Sequence, residues 1–193
     1  MEKRELRQLI RTKAARLTRE YIDAANAAIF ERVVSLPDFV NAGTLFSYVS
    51  LAREPDTHRL IKSALELGKK VYVPRITGPG IMEAVRIEAL ETLTPDRFGI
   101  LTPAAGETAR PEELDFSLIP CLSAGPHGAR LGNGGGYYDR FFAAESIPDS
   151  SHGAFFRRGA VLCFEDLLTD GIPLDAHDVR FGFFITEKRT EIN

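Results

Sequence analysis

The chain has 193 residues, 44% of them hydrophobic and 26% charged, with a net charge of −3. That length suits one well-buried domain, and no Ser/Pro/Gly-rich linker divides it, so residues 1–193 are read as a single unit. The mild acidity gives no global pull toward nucleic acid or membrane, and no apolar run approaches the roughly 20 residues of a membrane span.

Residues 3–17 place Leu6, Leu9, Ile10, Ala14 and Leu17 at helical spacing. This opening stretch is Arg-rich and amphipathic, as a mitochondrial presequence is, but Glu2, Glu5 and the scarcity of hydroxyl residues point to a cytoplasmic protein instead. Lys3, Arg7 and Arg11 lie four apart and share one face of that helix, either as a solvated charged face or as a polyphosphate site. A second helix is expected from the cap Thr18 to about Ser35, before Pro37.

Leu45–Val49 reads as a buried strand. Asp56 or Thr57 then caps a helix reaching Gly68, and Lys70–Pro74 forms the next strand. This strand–helix–strand order predicts a right-handed crossover with parallel pairing. Ile81–Ile87 reads as a strand near a sheet edge, and 94–113 as loop. Phe116–Pro120 is a continuous apolar strand, Tyr138–Glu145 a helix, and Gly159–Phe164 and Phe181–Thr186 are late strands. The alternation predicts an α/β fold, a three-layer αβα sandwich with a mostly parallel sheet. Cys121 and Cys163, far apart in sequence, fit buried thiols in a reducing compartment, and the four histidines have no metal-ligand spacing.

Arg130-Leu-Gly-Asn-Gly-Gly-Gly-Tyr-Tyr-Asp139 follows a buried strand, where open α/β sheets bind ligands. The run reads as a phosphate cradle or as a flexible turn. As a cradle, backbone lacking Cβ atoms points several N–H groups at one anion, the helix behind adds its positive end, and Arg130 pairs with phosphate oxygens. The run is neither a Walker A loop, which would continue Gly-Lys-Ser/Thr, nor a dinucleotide fingerprint, since Tyr137 fills its last glycine position. Asp139 is a natural Mg²⁺ carboxylate or a simple helix cap.

The Arg130–Asp139 motif resembles the signature of the 5-formyltetrahydrofolate cyclo-ligases. The likeness extends through Lys3 and Arg7, Tyr48–Thr57 with Glu54, Val73–Arg75, Met82–Ile87, Gly99–Pro103 and His177-Asp178. It implies a fold similar to the sugar-phosphate isomerase and CoA-transferase group. It also implies an enzyme that uses ATP and Mg²⁺ to cyclise 5-formyltetrahydrofolate to 5,10-methenyltetrahydrofolate. Under it, Lys3, Arg7, Arg130, Leu131, Gly132, Asn133, Gly134, Gly135, Gly136, Tyr137 and Tyr138 would hold ATP. Val49, Glu54, Phe98 and Tyr137 would hold the folate, Arg130 and Glu54 would be catalytic, Asp139 and Asp178 would bind the metal, and His177 would orient the loop carrying Asp178. Arg75 is a candidate for the folate's glutamate tail.

The chain departs from the family pattern at Pro120–Gly125, at Asn133 and Gly135, where some relatives are basic, and at Gly182, where an acidic residue is common. A paralogue of the same fold acting on another formylated amine is the first alternative. A nucleic-acid-binding module using the basic first helix, and an isomerase or transferase working without ATP, are the others. Small-molecule substrates, no nucleic acid or membrane partner, and a monomer or weak homodimer are expected.

Overall fold

In a computed structural model, residues 1–96, 99–143, 147–149 and 153–192 are described. Phe98, the Ala144-Glu145 end of the expected Tyr138–Glu145 helix and His152 lie outside the described residues.

Glu5 accepts a hydrogen bond from the Glu2 N–H at 3.2 Å and so closes the start of α1 (Lys3–Ala15). Leu6 and Ile10 are buried, whereas Leu9, expected on the apolar stripe, is 43% exposed. At the other end the Arg53 guanidinium donates to the carbonyls of Ala14, Ala15 and Leu17 at 2.9–3.1 Å, satisfying acceptors that a helix terminus leaves open. Thr18 caps α2 (Arg19–Ser35) as expected, accepting from the Tyr21 N–H at 3.2 Å. Pro37, read only as a stop, also starts the short α3 (Pro37–Asn41), because its fixed φ suits a first helical position.

Among the described residues, nine strands form one sheet: β1 (Thr44–Ser47), β2 (Lys70–Gly78), β3 (Ile81–Ile87), β4 (Thr108–Ala109), β5 (Phe116–Pro120), β6 (Ile147–Asp149), β7 (Gly153–Leu162), β8 (Val179–Ile185) and β9 (Thr190–Ile192). Their order is β9-β8-β7-β5-β1-β2-β3-β4, with β6 beside β7. The five central strands, β8-β7-β5-β1-β2, run parallel, and the outer pairs are antiparallel. The predicted mostly parallel sheet and the β1–helix–β2 crossover are both present, with α4 (His58–Glu66) as the crossover helix. β3 lies one strand in from the edge, because part of the expected loop 94–113 pairs with it as β4.

Thr57 does not cap α4 with its side chain. Its hydroxyl donates to the Tyr48 carbonyl at 2.6 Å and accepts from the Ser50 N–H at 3.0 Å, while Asp56 accepts from the His58 N–H at 3.0 Å. The loop between β1 and α4 is thereby tied to the strand that precedes it.

The helices flank the sheet. α2 and α4 pack on one another, on β8 and on β2, and the short α5 (Tyr137–Phe142) lies against β3 and β8. Phe142 is fully buried, with ring centroids of Phe156, Phe141, Phe46 and Phe181 at 4.6–5.7 Å. Burying such rings is the main source of the domain's cohesion, and here it also anchors the helix that follows the glycine run.

Candidate active site

A cleft of about 1680 Å³ is lined by residues following β1 and β5, by the glycine run, by the β2–β3 hairpin and by the Asp175–Asp178 turn. Lys3, Arg7, Val49, Glu54, Arg130, Leu131, Gly132, Asn133, Gly134, Gly135, Gly136, Tyr137, Tyr138, Asp139 and Asp178 all line it. These residues are drawn from four separate parts of the sequence. Phe98 lies outside the described residues, and Arg75 is not among the cleft-lining side chains. The Arg75 guanidinium donates to Glu83 at 2.8 Å and to the Ala104 carbonyl at 2.8 Å, so it braces a hairpin.

The glycine run does not leave β5 directly. Ser123–Ala124 pairs with Arg130–Leu131 in a small antiparallel hairpin, and the Ser123 hydroxyl donates to the Leu167 carbonyl at 2.5 Å. The hairpin launches the loop from a paired strand.

The basic face of α1 lies along the loop. Arg7 Nε donates to the Gly132 carbonyl at 2.8 Å, and Arg11 donates to Asn133 Oδ1 at 3.1 Å, so Arg11 is part of this contact as well. In a trans peptide the carbonyl and the next N–H point opposite ways, so fixing the Gly132 carbonyl on Arg7 turns the Asn133 N–H away from it. Lys3 Nζ donates to Asp175 at 2.7 Å and to Asp178. Burial works to lower the Lys3 ammonium, but these two carboxylates outweigh it and hold it above its ordinary value. Asp175 in turn is held below the usual carboxylate range by Lys3.

The Arg130 guanidinium is paired within the protein. Its Nη2 donates to both Asp139 oxygens at 2.9 and 3.0 Å, its Nη1 to the Pro120 carbonyl at 3.3 Å, and its side chain is 5% exposed. The guanidinium centre also lies 5.6 Å from the Tyr138 ring and 5.5 Å from the Phe181 ring. A buried guanidinium must be paired, and the nearest carboxylate takes it, so Arg130 supports the loop from beneath. Asp139 also accepts from the Val179 N–H at 3.2 Å, which sets it beside Asp178 in the chain.

The Asp175–Asp178 turn closes on itself, the Asp175 N–H donating to Asp178 at 2.7 Å and the Asp178 N–H to the Asp175 carbonyl at 3.0 Å. Ligand atoms of Asp175, His177 and Asp178 lie within 4.8 Å of one another. Asp175 was missed in the sequence reading, although an Asp-x-His-Asp spacing is a visible signal. Carboxylate oxygens suit a hard cation such as Mg²⁺. A carboxylate offers about four acceptor positions, and the bonds at Asp139 take three, two on Oδ1 and one on Oδ2. Asp175, His177 and Asp178 together, and the remaining acceptor position on Asp139, are thus donors of the kind a magnesium ion takes.

Glu54 Oε2 accepts from the Leu51 N–H at 2.9 Å inside a tight turn. Burial pushes its carboxyl above the ordinary value, against the lowering effect of that hydrogen bond. Its charge is felt by Tyr138 at the end of the glycine run, whose phenol is raised mainly by burial. Tyr48 is raised by the same combination, burial first, whereas Cys121 is raised by burial and then by Cys163, with Glu54 a smaller influence. A half-buried carboxylate and a glycine-rich, cation-rimmed loop thus share one cleft.

A three-layer α/β chain whose cleft joins a glycine-rich, cation-rimmed loop to an acidic wall has the form of an enzyme for small-molecule substrates. The sequence pattern of the 5-formyltetrahydrofolate cyclo-ligase family matches residues 1–187, and the chain belongs to this family, whose members are ligases. It is 32% identical to a probable 5-formyltetrahydrofolate cyclo-ligase of Caenorhabditis elegans over 98% of this chain and 95% of that one. It is also 32% identical to the Mycolicibacterium smegmatis 5-formyltetrahydrofolate cyclo-ligase, over 78% and 76% respectively. The solved 5,10-methenyltetrahydrofolate synthetase of Aquifex aeolicus superposes with a TM-score of 0.82 at 26% identity, covering 100% of this chain and 93% of that one. No helix among the described residues is long and apolar enough to cross a membrane.

Proposed function

We propose that this chain cyclises 5-formyltetrahydrofolate to 5,10-methenyltetrahydrofolate at the expense of ATP, releasing ADP and phosphate. The observation that carries the reading is the single cleft in which Glu54 and the glycine run lie together, in a chain of this family. The N5-formyl oxygen attacks the γ-phosphorus and ADP departs. N10 then adds to the activated carbon and loses its proton, and the carbon–oxygen bond breaks to release phosphate. An amide oxygen is a poor leaving group, and its phosphorylation removes that obstacle.

The protein's share is placement and charge stabilisation. Lys3, Arg7 and the backbone from Leu131 to Gly136 hold the phosphates, with Tyr137 and Tyr138 closing the loop's end. Val49, Glu54 and Tyr137 meet the pterin, the ionised Glu54 accepting its ring N–H donors. Arg130 is a positioning residue acting through Asp139. Asp139 and Asp178, with Asp175 beside them, are the side chains that would hold Mg²⁺, which neutralises phosphate charge when bound.

The test is the absorbance of the methenyl product with and without ATP and Mg²⁺. Product should appear only with both. ATP hydrolysis driven by another formamide, with none from 5-formyltetrahydrofolate, would refute this reading in favour of the paralogue.

A further inference from the structure

Arg140, the fourth residue of α5, bridges two walls of the cleft that no local element joins. Its Nε donates to the Gly80 carbonyl at 2.9 Å, in the turn between β2 and β3. Its Nη2 donates to the carbonyl of Gly135 in the glycine run. The guanidinium centre also lies 5.7 Å from the centre of the Tyr137 ring.

The slot that receives the guanidinium is built for it. Gly80 and Gly136 both have left-handed backbone, with φ of +75° and +65°. A Cβ on either would approach the guanidinium to 2.7 or 2.8 Å. One planar fork therefore fits between two backbone turns that only glycine supplies.

Each bond has a consequence for one substrate. Holding the Gly135 carbonyl on Arg140 turns the Gly136 N–H the opposite way in the same peptide plane, as Arg7 does for Asn133. Holding the Gly80 carbonyl fixes the hairpin turn, whose neighbours Thr77, Pro79 and Met82 line the cleft beyond the loop. Phosphoryl transfer to a formyl oxygen requires the two substrates to meet within a near-attack distance, and a displacement of about 1 Å can cost on the order of 100-fold in rate.

We propose that Arg140 is a positioning residue for the reaction. It sets the spacing between the phosphate-holding loop and the hairpin wall against which the formylated substrate packs. This rests on the functional reading above.

The test compares Arg140→Ala and Arg140→Lys with the unaltered chain. In Arg140→Ala, kcat should fall at least about tenfold while KM for ATP stays within about threefold, because each half-site survives but their alignment does not. Arg140→Lys should recover only part of kcat, since one ammonium cannot serve both carbonyls as a fork does. Amide exchange at residues 78–82 should accelerate in Arg140→Ala with the rest of the sheet unchanged. A kcat within twofold of the unaltered chain overturns the proposal, as does a raised KM for ATP at constant kcat, which would make Arg140 a phosphate contact. If the unaltered chain makes no methenyl product, the functional reading fails. The exchange comparison then still decides whether Arg140 holds the hairpin, and unchanged exchange would sink the bridge itself.

Discussion

Replacing Asp139 by Ala removes the carboxylate that both pairs with Arg130 and accepts from the Val179 N–H. Arg130 is 5% exposed and its Nε has no hydrogen-bond partner even beside Asp139, so the variant leaves a charged guanidinium inside the protein with only the Pro120 carbonyl to accept from it. Breaking a buried pair from one side costs about 3–5 kcal/mol. At roughly 2–4 °C per kcal/mol for a chain of this size, the melting temperature should fall by about 6–20 °C. Arg130→Met/Asp139→Ala leaves no stranded charge and should regain most of that loss, and a double-mutant cycle by urea denaturation measures the recovery. Asp139→Asn, which keeps one acceptor oxygen, should destabilise less yet weaken the magnesium dependence of product formation. A loss under 1 kcal/mol for Asp139→Ala, or a double variant no more stable than it, would refute the placement of Arg130 as a buried support.

Glu54→Gln should raise KM for the folate at least about tenfold, equivalent to about 1.4 kcal/mol, while leaving KM for ATP unchanged. Because burial raises the Glu54 carboxyl, its ionisation opposes folding. The stability it contributes is complete below its unfolded value and is lost as pH rises through the raised one, so the Gln variant should be the more stable at neutral pH, as thermal melts across pH would record. Lys3→Ala should raise KM for ATP on the order of tenfold or more, from about 1.5–3 kcal/mol per charge-assisted bond, and KM for the folate far less. Gly182 sits where the pairing of β7 and β8 skips between Phe156 and Ala160, and a Cβ there would lie 2.1 Å from the Arg157 carbonyl oxygen. Gly182→Asp, although it restores the common family residue, should destabilise by more than about 3 kcal/mol in denaturant titrations.

Local pattern was enough for the longer helices and the parallel core. Apolar spacing, the Thr18 cap and the β1–α4–β2 order each act over a few residues or one crossover, and the glycine run announces its own backbone freedom. Lys3, Arg7, Glu54 and Asp178 were recognised through their resemblance to the family's pattern, and the fold brings them to one cleft. What the tertiary structure alone decided is the state of the charges within it. Whether Arg130 faces a phosphate or a carboxylate depends on β8 lying beside α5. Whether Arg11 is solvated depends on where Asn133 falls, and Arg140's two partners lie 60 and five residues away in the chain. A charged side chain takes the nearest complementary group once burial strips its water, and nearness across the cleft is a property of the fold.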